Sequence, residues 1–307
     1  MSKFTGYLAI HKFEHELEKE LTLKGITEFQ KFDRFYLVSG SHPDMIWAQV
    51  TAHDLEEHPI QSIGDGIKKL KSLGRNWALF TIGNHRRAQL IQDELPKYNT
   101  KPIPFRAPLP EKAMGFWTLK DANTILATQN TNNPYPLGEM TFQEDKVMPP
   151  SRAYLKLWEF FTLYAPEAIN GGHAIDVGSC PGGWTWVLRT LDFDKTVSID
   201  KAPIERRIYD LGKIDFKQES AFGLNPDDYE EFDWFCSDII CYPERLLNLV
   251  KRFMEAGKVK NFVCTLKYQA ETDWESTLKF LEIPGSRIVH LHHNKHEVTW
   301  FLKGVKS

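Results

Sequence analysis

Two lysines and two acids are the residues of this chain best suited to moving a proton: Lys156, Asp238, Lys267 and Glu297. Phe232 to Asp238 reads as a strand ending in Asp238, Asn261 to Lys267 as a strand ending in Lys267, and Glu297 opens a late strand running to Leu302. Side chains at strand ends emerge where open α/β sheets hold their ligands. A lysine with a catalytic task needs a depressed pKa, and a second ammonium nearby supplies it by like-charge repulsion. Carboxylates placed between the two lysines would hold that geometry. Taken singly, each of the four also fits a surface or half-buried ion pair.

The chain is organised around Ala174 to Trp184, AIDVGSCPGGW. Ala174 to Val177 reads as a buried strand that breaks into a small-residue loop and then opens a helix at Trp184. Gly178, Gly182 and Gly183 permit positive φ and close backbone approach, and Pro181 has no N–H to lose at a helix start. Thr196 to Ile199 reads as a second strand closed by Asp200, an acid placed to accept hydrogen bonds from ribose hydroxyls. The G-x-G-x-x-G fingerprint is absent. Loop and acid together suggest an adenosine-containing cofactor; the alternative is a tight strand-to-helix turn in an ordinary α/β domain.

Alternation along the chain supplies the elements that would position these groups. Gly6 to Ile10, Phe35 to Val38, Met45 to Val50 and Trp77 to Ile82 read as strands. Phe13 to Leu23, Ile60 to Leu73 (closed by Gly74 as a C-cap) and Arg87 to Leu95 read as helices. Phe116 to Leu119 and Thr124 to Thr128 suggest a closing hairpin. Residues 1–128 are therefore expected to be a small α+β module, of a ferredoxin-like kind. Residues 129–150 read as a linker and 151–307 as the second domain. There Ser151 is expected to cap a helix with apolar Tyr154, Leu155, Trp158, Phe161 and Leu163. Helices at Pro243 to Ala256 and Trp274 to Leu281 then alternate with strands, and Ser286 to His292 pairs with Glu297 to Leu302. That pattern indicates a mostly parallel, doubly wound sheet.

Composition bounds the rest. With 307 residues, 42% hydrophobic and 13% aromatic, the chain can bury sizeable cores, in two domains. The net charge of −3 confines any nucleic-acid surface to local patches. Candidates are Lys68-Lys69-Lys71-Arg75, Arg86-Arg87, and Arg206-Arg207 with Lys201, each of which also fits a solvated face. Cys180, Cys236, Cys241 and Cys264 form no C-x-x-C pair, which fits a reducing, cytoplasmic compartment. The N-terminus acquires charge too early for a signal peptide, and no apolar run reaches the length of a membrane span. His292-His293-x-x-His296 lacks a carboxylate or cysteine partner at ligand-like spacing, so no metal is expected. Cys180 has no adjacent base and fits a packing residue better than a nucleophile. Trp158, Trp184 and Trp186 fit the core, and Tyr135 in the loop Asn130 to Pro136 is the better stacking candidate.

DVGSCPGGW, the preceding SRAYLK, and SDIICYP, TLKYQ and NKHEVT fall in the order of the FtsJ-like ribose 2′-O-methyltransferases. Within that group the chain most resembles the ribosomal RNA large subunit methyltransferase M family, closely from Pro134 onward and loosely before it. The resemblance implies a Rossmann-like methyltransferase domain preceded by a ferredoxin-like and THUMP-related part that is shorter here. It implies S-adenosylmethionine as cofactor and a cytidine ribose of 23S ribosomal RNA as target. It also implies a catalytic tetrad of Lys156, Asp238, Lys267 and Glu297. Lys267 would be the general base, Lys156 would lower its pKa and steady the substrate oxygen, and the two acids would orient the lysines. The cofactor would touch Ser151, Cys180, Pro181, Gly182, Gly183, Asp200 and Asp238. Where the family tends to carry an aspartate near the adenine, this chain has Glu219-Ser220-Ala221, leaving Ser220 to contact that edge. The alternatives are the same reaction on a transfer RNA or cap-like end, a nucleotide-dependent oxidoreductase, and a non-catalytic RNA-binding relic. The missing G-x-G-x-x-G counts against the oxidoreductase, and the four tetrad positions count against the relic.

Overall fold

The computed structural model describes residues 3–98, 101–110, 114–168 and 171–304. The last three residues of the expected second domain lie outside them. The chain divides into two compact units, Met1–Phe142 and Gln143–Ser307, each built on its own seven-stranded sheet. The fold class is thus mixed α/β.

The first unit contains β1 (Lys3–Ala9), α1 (Glu14–Leu23), β2 (Gln30–Phe32), β3 (Phe35–Ser39), β4 (Ala48–Pro59), α2 (Ile63–Leu73), β5 (Trp77–Leu79), α3 (His85–Asp93), β6 (Gly115–Asp121) and β7 (Thr124–Thr128). The sheet order is β2-β3-β1-β4-β7-β6-β5, antiparallel except for the β5–β6 pair. Alternation along β6 and β7 feeds two cores. Trp117, Leu119, Ile125 and Ala127 join Leu70, Ala88 and Ile91 from α2 and α3, whereas Phe116 and Leu126 join Phe35, Leu37 and Leu55. The strand expected over Met45 to Val50 begins instead at Ala48 and runs through polar residues to Pro59, because it pairs in turn with β1 and β7. Gly74 closes α2 with extended rather than left-handed backbone.

The second unit contains α4 (Tyr154–Tyr164), β8 (His173–Val177), α5 (Gly183–Thr190), β9 (Lys195–Asp200), α6 (Arg206–Tyr209), β10 (Ile214–Gln218), β11 (Phe232–Ser237), α7 (Pro243–Glu255), β12 (Val259–Lys267), α8 (Trp274–Leu281), β13 (Arg287–Val289) and β14 (Glu297–Leu302). The order is β10-β9-β8-β11-β12-β14-β13. The first five strands are parallel; β14 is antiparallel to both β12 and β13. Strand order reverses between β8 and β11, so a crevice opens beyond their carboxyl ends.

Helix α4 is not the half-exposed amphipath its sequence suggests. Every residue from Tyr154 to Thr162 is buried, with Phe160 and Phe161 packed edge-on against Trp234. Two charges, Lys156 and Glu159, go down with it, and a buried charge must find partners. Ser151 does not cap α4. Ala153 holds that position without a side-chain bond, and Ser151 turns instead toward the β8–α5 loop, where a Cβ on Gly183 would lie 3.1 Å from its Oγ.

Candidate active site

The loop after β8 is shaped by contacts that leave no room for side chains. Gly178 has φ +82°, and a Cβ there would lie 2.8 Å from the Cα of Ile239 on the loop after β11. The two loops therefore touch directly, which brings Cys180 and Asp238 to one crevice. Gly182 sits in the left-handed region at φ +115° as the N-cap of α5, one residue after Pro181. Asp200, at the end of β9, secures the loop from the other side. Its Oδ2 accepts the Cys180 N–H at 3.0 Å and its Oδ1 the Ala202 N–H at 2.9 Å.

These elements wall a cavity of about 520 Å3 in the second unit. Ser151, Cys180, Pro181, Gly183, Asp200, Ser220, Asp238 and Lys267 line it. Gly182 does not: it faces Ile208, and its contribution is the backbone turn. Lys156 and Glu297 are also absent from the lining and stand behind it. The sequence reading missed Phe222, Ile239, Ile240 and Arg245, which line the cavity too. Ile239 and Ile240 directly follow Asp238, a position that would have flagged them; Phe222 and Arg245 carry no local signal.

The four charged residues converge. Lys156 Nζ donates to Asp238 Oδ1 at 2.6 Å and to Glu297 Oε1 at 3.0 Å. Lys267 Nζ lies 3.2 Å from the same Asp238 Oδ1 and donates to the Asp238 carbonyl at 2.5 Å. Glu297 and Lys267 are directly paired residues of β14 and β12. Burial alone would push the Lys156 ammonium down, but Asp238 and Glu297 more than offset it and hold it above its ordinary value. Lys156 therefore stays a cation, a fixed charge rather than a proton acceptor. Lys267, with 19% of its side chain exposed against 7% for Lys156, is the amine that reaches the cavity.

A second buried acid on α4 steadies this arrangement. Glu159 accepts the backbone N–H groups of His292 (2.7 Å) and His293 (3.0 Å), fixing the turn that leads into Glu297. That is the part played by the histidine cluster; among the described residues no group of His, Cys, Asp and Glu is arranged to hold a metal. Behind the loop, Asp176 is fully buried and accepts from Thr185 Oγ1 at 2.6 Å. Burial pushes its carboxyl up to about 7, against the Thr185 bond and with help from Asp238.

Other candidates resolve plainly. Burial, with Asp200 and Glu205, pushes the Cys180 thiol up, which disfavours a thiolate nucleophile. Trp158, Trp184 and Trp186 are buried. Tyr135 is half-buried rather than exposed, and burial raises its phenol. Arg206 pairs with Asp210 and Arg207 with Glu205, as on a solvated face. No helix among the described residues is long and apolar enough to cross a membrane.

Residues 149–281 match the model of the FtsJ-like methyltransferase family. The chain is 29% identical over 259 residues to a ribosomal RNA large subunit methyltransferase M from Xanthomonas oryzae pv. oryzae (strain MAFF 311018), covering 79% of this chain and 69% of that protein. It is also 29% identical to the protein of the same description from Stenotrophomonas maltophilia (strain R551-3), over 79% and 68%. Among solved structures, an rRNA methylase from Streptococcus thermophilus is similar over 46% of this chain and 91% of its own, at 10% identity and TM-score 0.35. TrmN from Thermus thermophilus is similar over 98% and 99%, at 12% identity and TM-score 0.35.

Proposed function

We propose that this chain, whose residues 149–281 match the FtsJ-like methyltransferase family model, is an S-adenosylmethionine-dependent RNA ribose 2′-O-methyltransferase acting on a cytidine of 23S ribosomal RNA. The second unit is read as its Rossmann-like, doubly wound catalytic domain. The first is read as an RNA-binding, ferredoxin-like and THUMP-related part, and the protein as cytoplasmic. The observation that carries the reading is the meeting of Lys156, Asp238, Lys267 and Glu297, of which Asp238 and Lys267 line the cavity. The descriptions of the relatives, both ribosomal RNA large subunit methyltransferases, support the substrate.

The cavity fits the cofactor. Its volume of about 520 Å3 lies within the range of small-molecule sites. Backbone packed without room for a Cβ at Gly178 forms one wall, Asp200 stands where ribose hydroxyls need acceptors, and Ser220, Ala221 and Phe222 line the cavity as well. When bound, S-adenosylmethionine supplies an electrophilic methyl group on its sulfonium.

The chain's own residues do the rest. Lys267 Nζ accepts the ribose 2′-hydroxyl proton as that oxygen becomes the nucleophile. Lys156 remains a cation and steadies the developing oxyanion's surroundings. Asp238 Oδ1 bridges the two amines, and Glu297 fixes Lys156 from the opposite side. Being partly exposed, Lys267 passes the proton on to solvent. Positioning and proton transfer are the protein's contribution.

Mass mapping of 2′-O-methyl marks on RNA from cells with and without the gene tests the proposal. Loss of one mark, on a cytidine of 23S ribosomal RNA, is the expected result. A lost mark on a different RNA would move the substrate there, and unchanged marks throughout would overturn the reading.

A further inference from the structure

Among the described residues, Ile240 and Tyr242 are two of the three most exposed large apolar side chains, at 79% and 65%. Both lie on the loop between β11 and α7 that starts at Asp238. The same unit also exposes Val147, Tyr209, Leu211 and Leu278, none of which lines the cavity beside Lys267. Ile240 lines the same cavity as Lys267. Arg245, one turn into α7, is exposed as well and lines that cavity. Its guanidinium carbon lies 3.7 Å from the centroid of the Phe222 ring. An aliphatic plate and a guanidinium thus line the cavity beside the amine that would meet a ribose hydroxyl, with an exposed phenol two residues after Ile240 on the same loop.

We propose that Ile240, Tyr242 and Arg245 form the seat for the target nucleotide of a single-stranded RNA. The unstacked base lies on Tyr242 with Ile240 as its apolar backing, and Arg245 takes a flanking phosphate. Recognition of unpaired RNA bases rests on such stacking, with cationic groups along the backbone. A ribose held at Lys267 carries its base and phosphates only a few ångströms away, which matches so small an exposed group. The seat rests on the reading of this site as an RNA ribose methyltransferase, and it adds the residues that place the substrate.

The test uses the full chain, transcribed 23S ribosomal RNA and S-adenosylmethionine, with Tyr242→Ala, Tyr242→Phe and Ile240→Ser. Both RNA affinity by filter binding and KM for RNA are measured, along with cofactor affinity by calorimetry. Tyr242→Ala is expected to weaken RNA binding and raise KM about tenfold to a hundredfold, and Tyr242→Phe to stay within about twofold of the parent. Cofactor affinity should hold in both Tyr242 variants. Unchanged RNA affinity and KM in both Tyr242→Ala and Ile240→Ser would overturn the seat while leaving the methyltransferase reading intact. If RNA binding weakens but the parent transfers no methyl group, the seat stands and the methyltransferase reading falls.

Discussion

Lys267 Nζ lies 2.5 Å from the backbone carbonyl oxygen of Asp238 and 3.2 Å from its Oδ1, the atom that also accepts from Lys156. One carboxylate oxygen thus joins two amines with different surroundings. Lys156 is sealed on α4 behind the cavity; Lys267 closes β12 at its edge. That difference in access separates the sealed Lys156 from Lys267, which lines the cavity.

Removing the fixed cation should cost stability before it costs chemistry. Lys156→Met leaves Asp238 and Glu297, each with 12% of its side chain exposed, without their shared partner. Breaking a buried pair in this way costs about 3–5 kcal/mol. Calorimetry should show a melting temperature lower by about 6–20 °C. Adding Glu297→Gln should recover part of the loss, because Asp238 keeps Lys267 as a partner and the acid left unpaired, Glu297, disappears. Additive losses would contradict the coupling.

Asp200 should matter for cofactor affinity. It holds the Cys180 and Ala202 N–H groups, so Asp200→Ala frees the loop as well as removing an acceptor. A hydrogen bond to a charged group contributes about 1.5–3 kcal/mol, so calorimetry should show binding of S-adenosylmethionine weakened about tenfold to a hundredfold. Unchanged affinity would mean that the cofactor does not use this end of the cavity.

Asp176 supplies a pH signature. Its folded pKa of about 7 lies above the ordinary 3.8. As pH rises between those values the unfolded chain gives up the proton first, so stability falls across that window and levels off above it. Asp176→Asn does not titrate. The melting temperature of the variant relative to the parent should therefore climb from about pH 4 to about pH 7, by the equivalent of at most about 4 kcal/mol. A flat difference across that range would show that the acid is not held protonated.

Much of this architecture was legible in the sequence. Trp274 to Leu281 forms the helix its pattern gave, with Asp273 accepting the Ser276 N–H as its cap. Asp238 and Lys267 stand at the carboxyl ends of the parallel strands β11 and β12, and Glu297, at the start of antiparallel β14, pairs with Lys267, so strand direction takes all three to one edge. β10 escaped notice, since the outermost strand Ile214–Gln218 is only half-buried and carries no apolar run. Ser151 misled as a cap: serine's preference for that position is local, and the buried start of α4 overrode it. Arg245 and Phe222 were invisible because their pairing spans two elements and follows no period.

The central claim is that Lys267 takes the proton. Single-turnover methyl transfer to transcribed 23S ribosomal RNA, compared between the parent and Lys267→Ala at saturating cofactor, tests it most directly. The account predicts a rate lower by about 10²- to 10⁴-fold with S-adenosylmethionine affinity unchanged within about twofold. A variant rate within a few fold of the parent's would contradict it.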